Sequence, residues 1–259
     1  SADLLSKNVV LGAVTTYQGD YGTKNPESFT IDNYRSYFVD AARGQVCRLS
    51  NDGVTPISSQ GMHDWFADNL KPGTVDGTQT TIKKIIGTFD DRKSLYNVSI
   101  TQQFEVPKND NNAKAYAAPT TTVYTLSYSE NSKGWVSFRS FVQEAGLTVT
   151  NTYFTFRNGE LYSHDNETRN NFYTQQHGSF INAIFNDIPT SVKNFNTLNY
   201  SGDLGWLVDS IETDIESGNS SPFVTKENKH FSHIYNDNEA NDTSSFSFQG
   251  IGTADNIDI

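Results

Sequence analysis

One cysteine and one methionine occur in the whole chain, and seven prolines. With Cys47 alone, no intrachain disulfide can form. The thiol lies in the strand-like run Gln45-Val46-Cys47-Arg48-Leu49, where a small buried hydrophobe is the simplest role. No base or basic neighbourhood marks it as a catalytic nucleophile. No apolar run approaches the ~18 residues that a membrane-crossing helix needs. The start, Ser1-Ala2-Asp3-Leu4-Leu5, has neither Met nor the pattern of a secretion signal, and so reads as a processed product or part of a longer chain. Basic residues are scarce and scattered. Lys83-Lys84 and Arg92-Lys93 are the densest groups in a chain of net charge -11, which argues against contact with a phosphate backbone.

Catalytic motifs are missing as well. There is no Gly-x-Ser-x-Gly elbow, P-loop, His-Glu-x-x-His or dinucleotide fingerprint. A carboxylate pair for sugar hydrolysis needs only two acids at the right distance, and among 30 acidic residues some pair lies close by chance. His230-x-x-His233 has metal-like spacing, but its run reads as a strand, which sends residues three apart to opposite faces. The oxygen-rich runs 109–112 and 237–242 lack the Gly and terminal Glu of a calcium loop and read as solvated loops. These readings predict no enzyme, no metal and no cofactor.

Rings, by contrast, are plentiful. Hydrophobic residues make up only 35% of the chain, yet it carries 17 Phe, 13 Tyr and 3 Trp, so the core must be built largely from aromatic side chains. Aromatic and β-branched residues suit pleated sheets, and abundant Asn, Ser and Thr suit turns. The expectation is an all-β fold of hairpin-rich antiparallel sheets. Hairpins are predicted over Ser28–Asp40 and over Gln45–Ile57, where Asn51-Asp52-Gly53 supplies the turn. Further strands are expected at 85–89, 95–104, 122–129, 135–138 and 147–157, the last turning at Asn158-Gly159 into 160–164. In 122–129, Tyr124, Leu126 and Tyr128 share one face, the pattern of a half-buried strand. Met62, Trp65, Phe66 and Leu70 recur at helical spacing and predict one short helix, stopped by Lys71-Pro72-Gly73; Ile211–Glu216 is a weaker second. The polar run 107–119 reads as a loop inside a hairpin.

Tyr37–Asp40 followed by Arg43–Ser50 echoes Tyr153–Phe156 followed by Asn158–His164: an aromatic strand, a turn with Gly, then a second strand. Such recurrence suggests propeller-like blades over residues 1–178. Short strands at 9–14, 180–185, 192–200, 206–209, 223–224, 230–235 and 246–248 complete the strand assignment. Those beyond residue 179 make 179–249 a β-sandwich-like region, with 250–259 a flexible tail. Trp135, Tyr162, Tyr173 and Trp206 are the candidate contact aromatics. Their rings could stack on the apolar faces of sugars while neighbouring amides take hydroxyls.

Several runs, in order along the chain, resemble a family of virion structural proteins of tailed bacteriophages, including T4-like marine phages and crAss-like gut phages. They include Tyr21–Phe29, Arg48–Ser58, Lys133–Phe138, Phe156–Tyr162, Asn170–Tyr173, Phe185–Asp187, Lys193–Tyr200 and Gln249–Gly252. The resemblance spans roughly residues 20 to 252 and likens the chain to the C-terminal portion of a larger member. It implies a tail, baseplate or neck component within the virion with no catalytic residues; the structural reading then expects other virion proteins as partners in symmetric multimers, and neither nucleic acid nor membrane. A receptor- or host-glycan-binding tail module is the alternative.

Overall fold

In the computed structural model, residues 19–75, 78–105, 119–190, 195–213 and 217–236 are described. The expected strands 9–14 and 246–248, the loop 107–118, the acidic run 237–242 and the tail 250–259 lie outside them. The chain divides into two compact units, Ser1–Ser179 and Phe180–Ile259.

Ring-rich runs separated by turn residues fold the first unit into up-and-down sheets. The first sheet comprises β1 (Thr30–Asp32), β2 (Arg35–Asp40), β3 (Gln45–Ser50) and β4 (Gly53–Pro56), in sequence order and antiparallel. Its β3–β4 turn needs a left-handed backbone at Gly53, where φ is 105°. Helix α1 (His63–Leu70) follows and buries Phe66 and Leu70. A five-stranded sheet comes next: β5 (Gly73–Val75), β6 (Thr78–Asp90), β7 (Leu95–Glu105), β8 (Thr120–Ser129) and β9 (Gly134–Arg139).

The two sheets and α1 share one core, in which Tyr37, Val39, Val46, Ile57, Phe66 and Leu70 meet residues of β6–β8. Tyr37 stacks on Phe89 and Tyr96, with ring centroids 5.4 and 4.9 Å apart. Gly87 permits the close approach of chain segments here: a Cβ at this position would sit 2.0 Å from the Ser28 carbonyl oxygen. Cys47 is fully buried in β3, and desolvation pushes its thiol up to about 12, so it is protonated at neutral pH. Glu130 ties the sheets together at their edge. It accepts a hydrogen bond from Tyr37 Oη (2.7 Å) and another from Arg48 (3.1 Å), with Arg35 at 3.5 Å.

Strand β7 is buried on both faces. Tyr96, Val98 and Ile100 point into the ring core, while Asn97 and Ser99 point the other way and are equally hidden. On that second face Ser127 donates to Asn97, Ser99 meets Thr125 (2.7 Å), and Gln143 donates to the Asn97 carbonyl (3.0 Å). The polar side of 122–129 therefore faces a hydrogen-bonded layer over residues 125–129, where solvent was expected. Each satisfied pair contributes about 1 kcal/mol, and an orphaned member costs more.

Beyond this layer lies a three-stranded sheet, β10 (Ala145–Val149), β11 (Thr152–Arg157) and β12 (Glu160–Ser163), then a small hairpin, β13 (Asn171–Phe172) with β14 (Gln175–Gln176). The single strand expected over 147–157 is a hairpin broken at Thr150 and Asn151, both at positive φ (48° and 61°). Asn158-Gly159 makes its predicted turn, with φ of 52° and 79°.

The second unit contains one described sheet, built around a long strand. That strand, β19 (Lys229–Asn236), pairs with β15 (Thr197–Ser201), β17 (Ser217–Ser220) and β18 (Val224–Lys226), and β16 (Ile211–Glu212) adds to β17. The helix expected over 211–216 is corrected by β16: Ile211 pairs with Gly218 and Glu212 with Ser217 in a hairpin. A β-branched Ile and Thr separated by one residue favour extended backbone over a single isolated helical turn. The strands expected at 180–185 and 206–209 are irregular segments.

Candidate functional site

The hairpin β13–β14 folds over the β11–β12 sheet and leaves a cleft of about 440 Å³ within the first unit. Its floor is the edge of the polar layer, where Asn97 and Arg139 end; its walls are β12, the loop 164–171 and the β13–β14 turn. Two of the four candidate aromatics meet here. Tyr162 and Tyr173 pack edge to face with centroids 4.9 Å apart. Tyr173 sits at φ 53° and Thr174 at 67°, so the turn is left-handed at two residues that have a Cβ and are not Asn. Left-handed backbone costs roughly 1–2 kcal/mol per ordinary residue, and here it aims the Tyr173 hydroxyl at Thr155 Oγ1 (3.0 Å).

His164, between them, is a wall residue that sequence reading left unassigned. It packs on Phe141 (4.8 Å), Tyr153 (4.9 Å) and Phe172 (5.9 Å), and its Nε2 meets Thr155 Oγ1 at 2.7 Å. Burial among rings lowers its pKa to about 4, with a smaller opposing pull from Asp165. The imidazole is neutral at pH 7.

Charges in the cleft divide unevenly. Asp165 is engaged by Lys93. Asp90, nearly fully buried, accepts from the backbone N–H groups of Arg92 and Lys93, and burial raises its pKa. Among the described residues Arg139 donates only through Nε, to Ser127 Oγ (2.9 Å), and desolvation lowers its pKa against smaller opposing pulls from Asp165 and Asp90. The Arg169 side chain makes no hydrogen bond or ion pair among the described residues. Both anions are paired, and both guanidinium groups keep donors to spare.

The other two candidate aromatics lie elsewhere. Trp135 belongs to the ring core: its indole donates to the Ile57 carbonyl (3.1 Å) and packs on Phe66 (4.6 Å). Trp206, in the second unit, is 38% exposed. Around it in sequence stand Leu204 and Leu207, the latter 87% exposed, and earlier come Phe180 (87%), Ile181 and Ile184 (91%). Among the described residues, nine of the seventeen exposed large hydrophobic residues belong to the second unit, and none of the buried hydrophobic ones does. His230 is buried in β19, held between Thr225 Oγ1 (2.9 Å) and the Gly202 carbonyl (3.0 Å). Among the described residues no cluster of three His, Cys, Asp or Glu is placed to hold a metal ion.

Fold and surface together define an all-β protein whose first unit is built around a ring-rich core and whose second presents apolar side chains outward. Residues 167–246, just under a third of the chain, match the family model of the Crassvirus muzzle protein C-terminal domain. That match supports a virion structural protein of a crAss-like phage. No curated protein matches the chain.

Proposed function

We propose that this chain is a structural component of a crAss-like phage virion, in its tail, baseplate or neck, that works by contacts with other virion proteins and performs no catalysis. One observation carries the reading. The region similar to the muzzle C-terminal domain contains Phe180, Ile184, Leu204 and Leu207, large apolar side chains held in water by the isolated chain. Burying such a side chain gains ~1.5–3 kcal/mol, so a handful suffices for a firm joint. A net charge of -11 keeps the free chain apart from its copies until a complementary surface is offered, and it disfavours DNA as that partner. Among the described residues, no helix is long and apolar enough to cross a membrane. Symmetric repetition of one joint around a particle axis would multiply a modest contact into a stable ring.

Mass spectrometry of purified virions should find the chain at a stoichiometry set by that symmetry. Imaging of particles bearing a tag on the chain should place the label at the tail end. Purified virions that lack the chain would end the proposal.

A further inference from the structure

The cleft of the first unit has a use that assembly does not require. We infer that it binds a carboxylate-bearing saccharide, with Arg139 and Arg169 taking the acid and the packed pair Tyr162 and Tyr173 lying against one side of the sugar ring. The selection for an anion comes from pairing. Asp165 is held by Lys93 and Asp90 by backbone N–H groups; both favour the Arg139 charge through space, but among the described residues neither takes a hydrogen bond from its guanidinium. Arg139 spends only its Nε on Ser127, which fixes the planar group by one edge and leaves its two terminal nitrogens for a ligand. A guanidinium fork matches a carboxylate in two parallel hydrogen bonds. Arg169, which also lines the cleft, supplies a second cation, its side chain uncommitted among the described residues.

The rest of the lining suits a sugar. Tyr162 and Tyr173, at 4.9 Å and 73° to each other, offer one ring face and one ring edge to the C–H face of a pyranose. Asn166, whose amide oxygen takes the Thr168 N–H, offers its NH2 group to a hydroxyl, and Asn170, whose NH2 donates to Ser179, offers its amide oxygen. Neutral His164 closes the wall without adding charge. The strained Tyr173-Thr174 turn is the second, independent pointer. A Gly or Asn would make that turn at less cost, and what the costly version secures is the place of the Tyr173 ring. A volume near 440 Å³ holds about two sugar units.

The test is titration of the whole chain, followed by NMR and calorimetry, with four probes: 3′-sialyllactose, tetragalacturonate, neutral cellotetraose and hexaglutamate. At least one acidic sugar should bind with Kd below about 1 mM, at least tenfold tighter than cellotetraose and hexaglutamate. Arg169→Gln, which removes no side-chain bond among the described residues, and Tyr162→Ala should each weaken that binding about fivefold or more while the far-UV spectrum stays unchanged. Failure of both acidic sugars to bind overturns the inference. So does binding that survives both substitutions, or hexaglutamate binding as tight as the sugars, since charge alone would then explain it. None of these results bears on whether the chain sits in a virion, which the particle analysis decides separately.

Discussion

The two units solve the problem of a ring-rich, aliphatic-poor composition in opposite ways. The first builds a core from rings: Tyr37, Tyr96 and Tyr128 are fully buried, and their hydroxyls find Glu130, the Ser28 carbonyl and Gln60. The described part of the second buries Thr197, His230 and Ser232 and leaves Phe180, Ile184 and Leu207 outside. A domain needs a core to offset the entropy of ordering its chain. The first unit therefore accounts for its own stability, and the second has the surface of a piece completed by docking.

The largest effect expected from a single change tests the first half of that contrast. Gly87→Ala puts a methyl carbon 2.0 Å from the Ser28 carbonyl and 2.8 Å from Tyr96 Oη, so the helical turn Pro26–Ser28 ahead of β1 or the Tyr96 ring must move. We expect a loss of about 4 kcal/mol. Urea unfolding in a Trp206→Phe background reads this cleanly, because the remaining tryptophans, Trp65 and Trp135, both lie in the first unit. A loss below about 1 kcal/mol would mean that the contact is not tight and the packed core is overstated.

How much of this was legible in the sequence depended on what kind of signal each feature leaves. Asn51-Asp52-Gly53, Asn158-Gly159 and the helical spacing of Met62, Trp65, Phe66 and Leu70 are local chemistry, and the structure bears them out. Tyr173-Thr174 is a tight left-handed turn without Gly or Asn, and the contacts of Tyr173 with Thr155 and Tyr162 accompany it where local composition gives no hint. In 180–185 the apolar residues come as doublets, Phe180-Ile181 and Ile184-Phe185, a pattern that does not alternate as a strand should. The polar layer was invisible for another reason: Asn97, Ser99, Thr125 and Ser127 look like a solvent face, because polar residues satisfied by one another have the same sequence pattern as those satisfied by water. Tyr162 and Tyr173 were found as aromatics. Arg139, His164 and Arg169 were not, since only the packing of β13–β14 over β12 brings them to one cleft.

His164 sharpens the comparison from the side of pH. Its folded pKa is near 4 because burial penalises the imidazolium, whereas an unfolded histidine titrates near 6.5. Above pH 6.5 both states are neutral and nothing is lost. As pH falls from 6.5 toward 4 the unfolded chain takes up a proton that the folded chain refuses, so stability declines, by about 3 kcal/mol at the full shift. Below 4 both are protonated and this contribution levels off. The urea midpoint of the first unit should fall over that window, and His164→Gln should flatten the fall. An unchanged slope in the variant would assign the pH dependence to carboxylates instead.

Glu130→Gln is next in size. The carboxylate lies 3.1 Å from Arg48 and 3.5 Å from Arg35, with its side chain 7% exposed, and it accepts the Tyr37 hydroxyl. Neutralising it leaves two guanidinium groups facing an amide, a loss of about 2 kcal/mol, read in the same urea assay at pH 7. If the variant were as stable as the parent, the link between the two sheets would rest on the rings alone.

The smallest effect on stability carries the most weight for the second unit. Leu207 is 87% exposed, so Leu207→Ser removes nothing from a core and should change stability by no more than about 0.5 kcal/mol. The same change should weaken docking, because a leucine that contributes nothing to its own fold contributes its full burial only when a partner covers it. Incorporation of tagged Leu207→Ser chains into particles, in competition with the parent chain, measures this directly. Depletion of the variant from particles at unchanged stability is the expected result. If instead Leu207→Ser lowered the unfolding midpoint strongly, Leu207 would be part of a core within the chain, and the second unit would stand on its own as the first does.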